Sequence, residues 1–178
     1  MAESAAEAPT GEVAAMVAVQ SALADRPGLL AVARAMSHFG EHSLGWLIVA
    51  MFGAAVAPAR RRDWLVAGAG TFTAHAAAVL IKRVVRRKRP HHPAVTVNVG
   101  TPSQLSFPSA HATSTTAAAL LMGRAAGLPC GLSVAVLVPP MALSRILLGV
   151  HYPSDVTFGV ALGATVARLA LWLDRKSR

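Results

Sequence analysis

Charge and cysteine are what this chain of 178 residues has least of. Only 14% of its residues are Asp, Glu, Lys or Arg, where a soluble domain carries about 25%. That shortfall excludes an ordinary soluble enzyme, and the 54% hydrophobic content excludes a disordered chain. The one cysteine, Cys130, leaves no partner for an intrachain disulfide and no multi-cysteine metal site. Aromatic residues stop at 5%, too few for a base-stacking surface. The net charge of +9 therefore points away from nucleic acid and towards an anionic phospholipid bilayer.

What is present is apolar sequence in blocks. A spanning helix takes about 20 predominantly apolar residues. Five stretches approach that length: Ser43–Pro58, Trp64–Ile81, Ala112–Leu128, Gly131–Val150 and Val156–Leu173. Pro139 and Pro140 predict a kink in the fourth. Val13–Leu23 reads as an interfacial helix, and whether it or Leu29–His38 enters the bilayer decides between five spans and six. The expected fold is an all-α integral membrane helical bundle of five or six helices. It forms a single domain over residues 11–178, after a small, acidic, disordered tail over residues 1–10. No cleavable signal peptide is evident, because the first residues are acidic. Spans of full length would leave only short loops. Gly123, Gly127 and Gly131, and again Gly159 and Gly163, have the spacing that lets helices approach closely in lipid. Trp46, Trp64 and Trp172 are candidates for interface anchors.

Three polar islands interrupt the apolar frame: Lys82 to Pro90, Phe107 to His111, and Ser144-Arg145 followed by Gly149 to Asp155. Each lies at the end of an expected span, and alternation of the spans puts all three on one membrane face. Arg60, Arg61 and Arg62 then share the other face with Arg175, Lys176 and Arg178, by preference the cytoplasmic one. The site is thus expected on the extracytoplasmic side of the plasma membrane, although the basic run Lys82–Arg89 nearly balances the count.

These islands suit phosphoryl transfer. Lys82, Arg89 and Arg145 supply three cations that can surround a phosphate. Ser109, Ala110 and His111 open a helix after Pro108, so their amides favour an anion, and the Ser109 hydroxyl adds a donor. Asp155, four residues after His151, can accept the Nδ1 proton of His151 and leave Nε2 free to attack phosphorus. His111 can protonate the leaving alkoxide and later activate water. The intermediate is a phosphohistidine, and neither a metal nor a cofactor is required.

The same residues resemble the signature of the type 2 phosphatidic acid phosphatases, the PAP2 or lipid phosphate phosphatase family. Its first motif is Lys, six residues, Arg-Pro, as in Lys82 through Arg89-Pro90. Its second, Pro-Ser-Gly-His, appears as Pro108-Ser109-Ala110-His111. Its third is Ser-Arg, five residues, His, three residues, Asp, as in Ser144-Arg145, His151 and Asp155. The resemblance implies a PAP2-like membrane bundle and a metal-independent lipid phosphatase. In it His151 is the nucleophile, Asp155 its partner and His111 the general acid, with Lys82, Arg89, Ser109, Ala110 and Arg145 around the phosphate. Ala110 departs from the usual Gly, which bears on pocket shape more than on the reaction. The compact, Ala/Arg/Val-rich chain looks like small actinobacterial members that act on decaprenylphosphoryl-5-phosphoribose in cell-wall precursor synthesis. Phosphatidic acid, phosphatidylglycerophosphate and polyprenyl diphosphate are alternative substrates. Phosphotransfer to a sugar acceptor is an alternative reaction, and a non-catalytic lipid-binding or transport subunit an alternative class. A homo-oligomer is compatible with all of these.

Other residues have plainer readings. Arg83, Arg86, Arg87 and Lys88 are expected to anchor the lipid surface. His38 and His42 have the spacing of a helical metal pair but no third ligand. His75, inside a span, is either a packing residue or a functional one.

Overall fold

The computed structural model describes residues 8–129 and 131–177; most of the expected tail, and Cys130, lie outside them. Among the described residues the chain forms seven α-helices: α1 (Gly11–Leu23), α2 (Leu29–Gly40), α3 (Leu44–Val56), α4 (Arg61–Val85), α5 (Ala110–Ala125), α6 (Leu132–Leu147) and α7 (Pro153–Lys176). Three apolar helical stretches are long enough to cross a membrane: Leu29–Val56, Pro58–Val85 and Pro153–Lys176. The first joins α2 to α3 through a turn at Glu41–Ser43, so the segment before the first expected span belongs to it. At 13 residues, α1 is too short to cross. It docks through Gln20, whose amide donates to Thr96 O and Leu147 O and accepts from Thr96 N.

The centre of the bundle is α5, buried along most of its length and packed on α4, α6 and α7. Its Ala, Ser and Thr residues present no bulky face, so neighbours close in on every side. Thr113 and Thr116 return their hydroxyls to carbonyls one turn back, at 2.9 and 2.8 Å, which satisfies them without an external partner. Large apolar side chains point outward instead, among them Ile48, Phe52, Leu80, Val84 and Phe158. That inversion of a soluble protein is what a lipid surround permits.

Gly159 and Gly163 make the close approach that their spacing predicts. A Cβ on Gly159 would lie 2.7 Å from Ser109 O, and one on Gly163 would strike the Thr113 carbonyl. In the other glycine series only Gly123 makes such an approach, to the Ser133 side chain of α6; Gly127 and Gly131 have φ of 73° and 86° and end or start helices. Pro139 and Pro140 lie within α6, which continues as one helix through both. Trp46 is core rather than interface, and Trp64 packs against the same core. Only Trp172 behaves as a peripheral anchor, with Lys176 Nζ 4.0 Å from its ring centroid.

The connections are not all short. With α3, α5 and α6 at 13, 16 and 16 residues, the helices use less chain than full spans would, and the surplus forms a folded segment over residues 86–109. Ser106 N donates to Arg87 O at 2.8 Å, Arg89 N to Gln104 O at 3.2 Å and Asn98 N to Leu148 O at 3.0 Å, which pins this segment over one end of the bundle. The end of α4 and the starts of α5 and α7 meet beneath it. At the opposite end Arg62 Nε pairs with Asp174 Oδ1 at 2.8 Å, so the Arg60–Arg62 cluster and the end of α7 with Arg175 and Lys176 share the other face, as expected, while Arg178 lies outside the described residues.

Gly163→Ala is expected to destabilise the fold by about 1–3 kcal/mol, since the obstructing atom is backbone. Gly100→Ala, where a Cβ meets nothing within 4 Å, should leave stability unchanged. Thermal unfolding in detergent compares the two.

Candidate active site

A cavity of about 510 Å³ opens beneath the folded segment. Six of the eight residues expected at the site line it: Lys82, Arg89, Ala110, His111, Arg145 and His151. Lys82 is at the last turn of α4, Arg145 at the last turn of α6, and Ala110 and His111 at the first turn of α5. Helix ends at one face thus deliver three motifs that are distant in sequence.

Each cation is held differently. Lys82 Nζ donates to Leu105 O at 3.1 Å and to Ser106 O at 2.9 Å. Arg89 donates from Nε to Ser103 O at 2.8 Å and from Nη1 to Val150 O at 2.6 Å. Arg145 is 2% exposed, and its Nε and Nη1 have no partner. A buried guanidinium with two open donors on a cavity wall is a site for an anion. Burial lowers the Arg89 pKa to about 10, with the Asp155 carboxylate opposing the shift, so Arg89 is still a cation near neutrality.

His151 is 3% exposed, and its Nε2 lies 3.4 Å from Arg89 Nη1. Burial, followed by the charges of Arg89, Lys82 and Arg145, pushes its pKa well below the ordinary imidazole value. The ring is therefore neutral, the state in which a ring nitrogen keeps a lone pair. Its Nδ1 lies 3.6 Å from Asp155 Oδ2, longer than a hydrogen bond. Such contacts commonly tighten when substrate binds. His111 Nε2 donates to Ser37 O at 2.9 Å, leaving Nδ1 as the ring atom available for proton transfer. Gly40 permits this approach, because a Cβ there would lie 2.7 Å from His111 Cδ2.

Two expected residues sit behind the wall rather than on it. Ser109 is fully buried as the N-cap of α5. Its Oγ accepts from Ala112 N at 3.4 Å and its N–H donates to Asp155 O at 2.9 Å, which joins the starts of α5 and α7. Asp155 is held at Oδ2 by Tyr152 N and at Oδ1 by Arg87 Nη1, both at 2.9 Å.

Arg87 corrects the sequence reading. It is not a lipid anchor: its other arm, Nη2, pairs with Glu12 Oε2 at 2.7 Å, and its guanidinium stacks over Tyr152 at 4.1 Å. Glu12 Oε1 accepts from Ser154 N at 2.8 Å, so α1 clamps the start of α7 through Arg87. A lone carboxylate at the start of an apolar helix is the signal that marks this role. The His38 and His42 pair does not share a helical face, because α2 ends at Gly40. Among the described residues no three His, Cys, Asp or Glu side chains gather as a metal site.

The class follows from comparison with known proteins. The family model of the PAP2 superfamily matches residues 63–178. The chain belongs to the PAP2 superfamily and is a membrane-embedded enzyme of phosphatase type. It is 76% identical over 162 residues to a decaprenylphosphoryl-5-phosphoribose phosphatase of Mycobacterium tuberculosis, covering 91% of this chain and 90% of that one. It is 67% identical over 153 residues to the protein of the same name from Mycolicibacterium smegmatis, covering 86% and 83%. Its fold matches the crystal structure of a transmembrane PAP2 type phosphatidylglycerolphosphate phosphatase from Bacillus subtilis, with a TM-score of 0.70 at 23% identity, over 93% of this chain and 87% of that one.

Arg87→Met should lower kcat on the order of 10- to 100-fold with little change in KM, the range for a residue that orients a reacting group. Glu12→Gln should lower it less, and steady-state kinetics on the purified variants tests both. In ¹⁵N-histidine spectra the His151 imidazole, assigned through His151→Gln, should stay neutral at a pH below the ordinary imidazole pKa of about 6.5.

Proposed function

We propose that this protein removes the 5-phosphate of decaprenylphosphoryl-5-phosphoribose by way of a phosphohistidine on His151. The observation that carries the reading is Arg145, buried on the cavity wall with two open donors beside His151, Lys82 and Arg89. The 76% identity to a phosphatase named for that substrate supports its choice over other lipid phosphates.

The arrangement supports a two-step reaction. The Nε2 lone pair of His151 attacks phosphorus, the bond from phosphorus to the ribose O5 breaks, and the departing alkoxide takes the Nδ1 proton of His111, whose ring enters the step as an imidazolium paired with the substrate phosphate and leaves it neutral. Asp155, fixed by Arg87 and Tyr152, balances the positive charge that develops on the His151 ring. Lys82, Arg89, Arg145 and the first amides of α5, including that of Ala110, stabilise the equatorial oxygens. Ser109 contributes by capping α5 and so aiming those amides. Water then attacks phosphorus with His111 accepting its proton, the P–N bond breaks, and inorganic phosphate leaves.

On this reading the protein belongs in the plasma membrane with the site outside. In the basic run, Lys82, Arg87 and Arg89 are committed to the site, which leaves Arg83, Arg86 and Lys88 as loop charges. The cluster of Arg60, Arg61, Arg62, Arg175 and Lys176 then outweighs them on the opposite face.

Purified protein in detergent with EDTA should release phosphate from the phosphoribosyl lipid faster than from phosphatidic acid, phosphatidylglycerophosphate or a polyprenyl diphosphate. His151→Ala should reduce that rate by a factor of 1,000 or more, roughly the loss seen when a catalytic nucleophile is removed. Preference for another lipid of the panel would displace the substrate.

A further inference from the structure

We infer that Glu41, His42 and His75 form a subsite for the vicinal hydroxyls of the sugar that carries the scissile phosphate. This rests on the reading of the substrate as a lipid-linked sugar phosphate. Glu41, His42 and His75 line the same cavity as the phosphate cradle. On α4, His75 lies seven residues before Lys82, so it occupies the same face two turns away, about 10 Å along the axis. That separation suits one sugar ring held beyond a phosphate.

Three features mark these residues as more than packing. His75 lies within a membrane-spanning segment, and its Nδ1 is buried without a partner. A buried polar atom left unpaired keeps an uncompensated desolvation penalty, which a ligand hydroxyl would remove. His42 brings its ring to 6.2 Å from that of His75, and it does so from a left-handed backbone: φ is 50° at His42 and 62° at Ser43. Two consecutive non-glycine residues in that region are strained, and strain of this kind persists where it positions a functional group. Glu41 lines the same wall with its carboxylate 3.8 Å from His38 Nδ1, at the outer limit of an ion pair, so its oxygens keep acceptor capacity. A carboxylate accepting hydroxyl protons, beside a ring nitrogen that can accept or donate, is a common way to hold the diol of a ribose. The same groups offer nothing specific to phosphatidic acid, whose corresponding positions are esterified, and no vicinal pair exists in phosphatidylglycerophosphate, whose phosphorylated glycerol has a single free hydroxyl.

The test compares the phosphoribosyl lipid with its 2,3-dideoxy analogue. Wild-type enzyme should lose about tenfold or more in kcat/KM on the analogue, since a site built to bond a hydroxyl rejects the molecule that lacks it. Glu41→Gln and His75→Phe should be slower on the parent lipid and should no longer distinguish it from the analogue. Equal rates of wild-type enzyme on both lipids would overturn the subsite while leaving the substrate in place, as would variants that keep the discrimination. No release from the phosphoribosyl lipid by an enzyme that cleaves phosphatidic acid would remove the substrate reading and the subsite together.

Discussion

Keeping positive charge inside a bundle that faces lipid is the constraint on which the site depends. Each buried ion carries an effective penalty of several kcal/mol. Carbonyls of the folded segment over residues 86–109, with that of Val150, solvate Lys82 and Arg89 and so offset the penalty for those two. Arg145 is left with two donors open. The pocket therefore has room for an anion at Arg145, and in the proposed function the transferring phosphoryl group fills that place. Burial, joined by the same field of cations, keeps His151 neutral, the state that the proposed nucleophile needs.

The fold serves this arrangement by bringing helix ends together. A central helix of small residues lets α4, α6 and α7 close around it, and the bare backbone at Gly159 and Gly163 draws α7 onto α5. The bond from Ser109 N to Asp155 O locks the starts of those helices in register. From outside the catalytic motifs, α1 reaches the same point through Glu12 and Arg87, so the N-terminal helix supports the orientation of Asp155.

Much of this was legible in the sequence, for a physical reason. In a chain with few charges a polar residue in an apolar frame has few roles, so Lys82, Arg89, His111, Arg145, His151 and Asp155 stand out, and alternation of spans puts them on one face. Periodicity and hydropathy also indicate the helices, though not that three of them are short enough to leave a folded connection. What escaped depends on directions that composition does not encode. Arg87 resembles its basic neighbours in sequence, and only the fold turns it inward between Glu12 and Asp155. Trp46 has the position of an interface anchor, yet packing among small residues draws it into the core. The left-handed turn at His42 and Ser43, which no glycine announces, cannot be read from local propensity.

The central claim is that the phosphoryl group resides for a time on His151. Turnover of a ³²P-labelled substrate is stopped with an alkaline denaturing quench, because phosphoramidates survive base and hydrolyse in acid, and the labelled peptide is then mapped. The account predicts label on the peptide containing His151, stable to base, lost in mild acid and absent from His151→Ala. Label on another residue, or turnover at full rate with none trapped under conditions where breakdown of the intermediate limits the reaction, would contradict it.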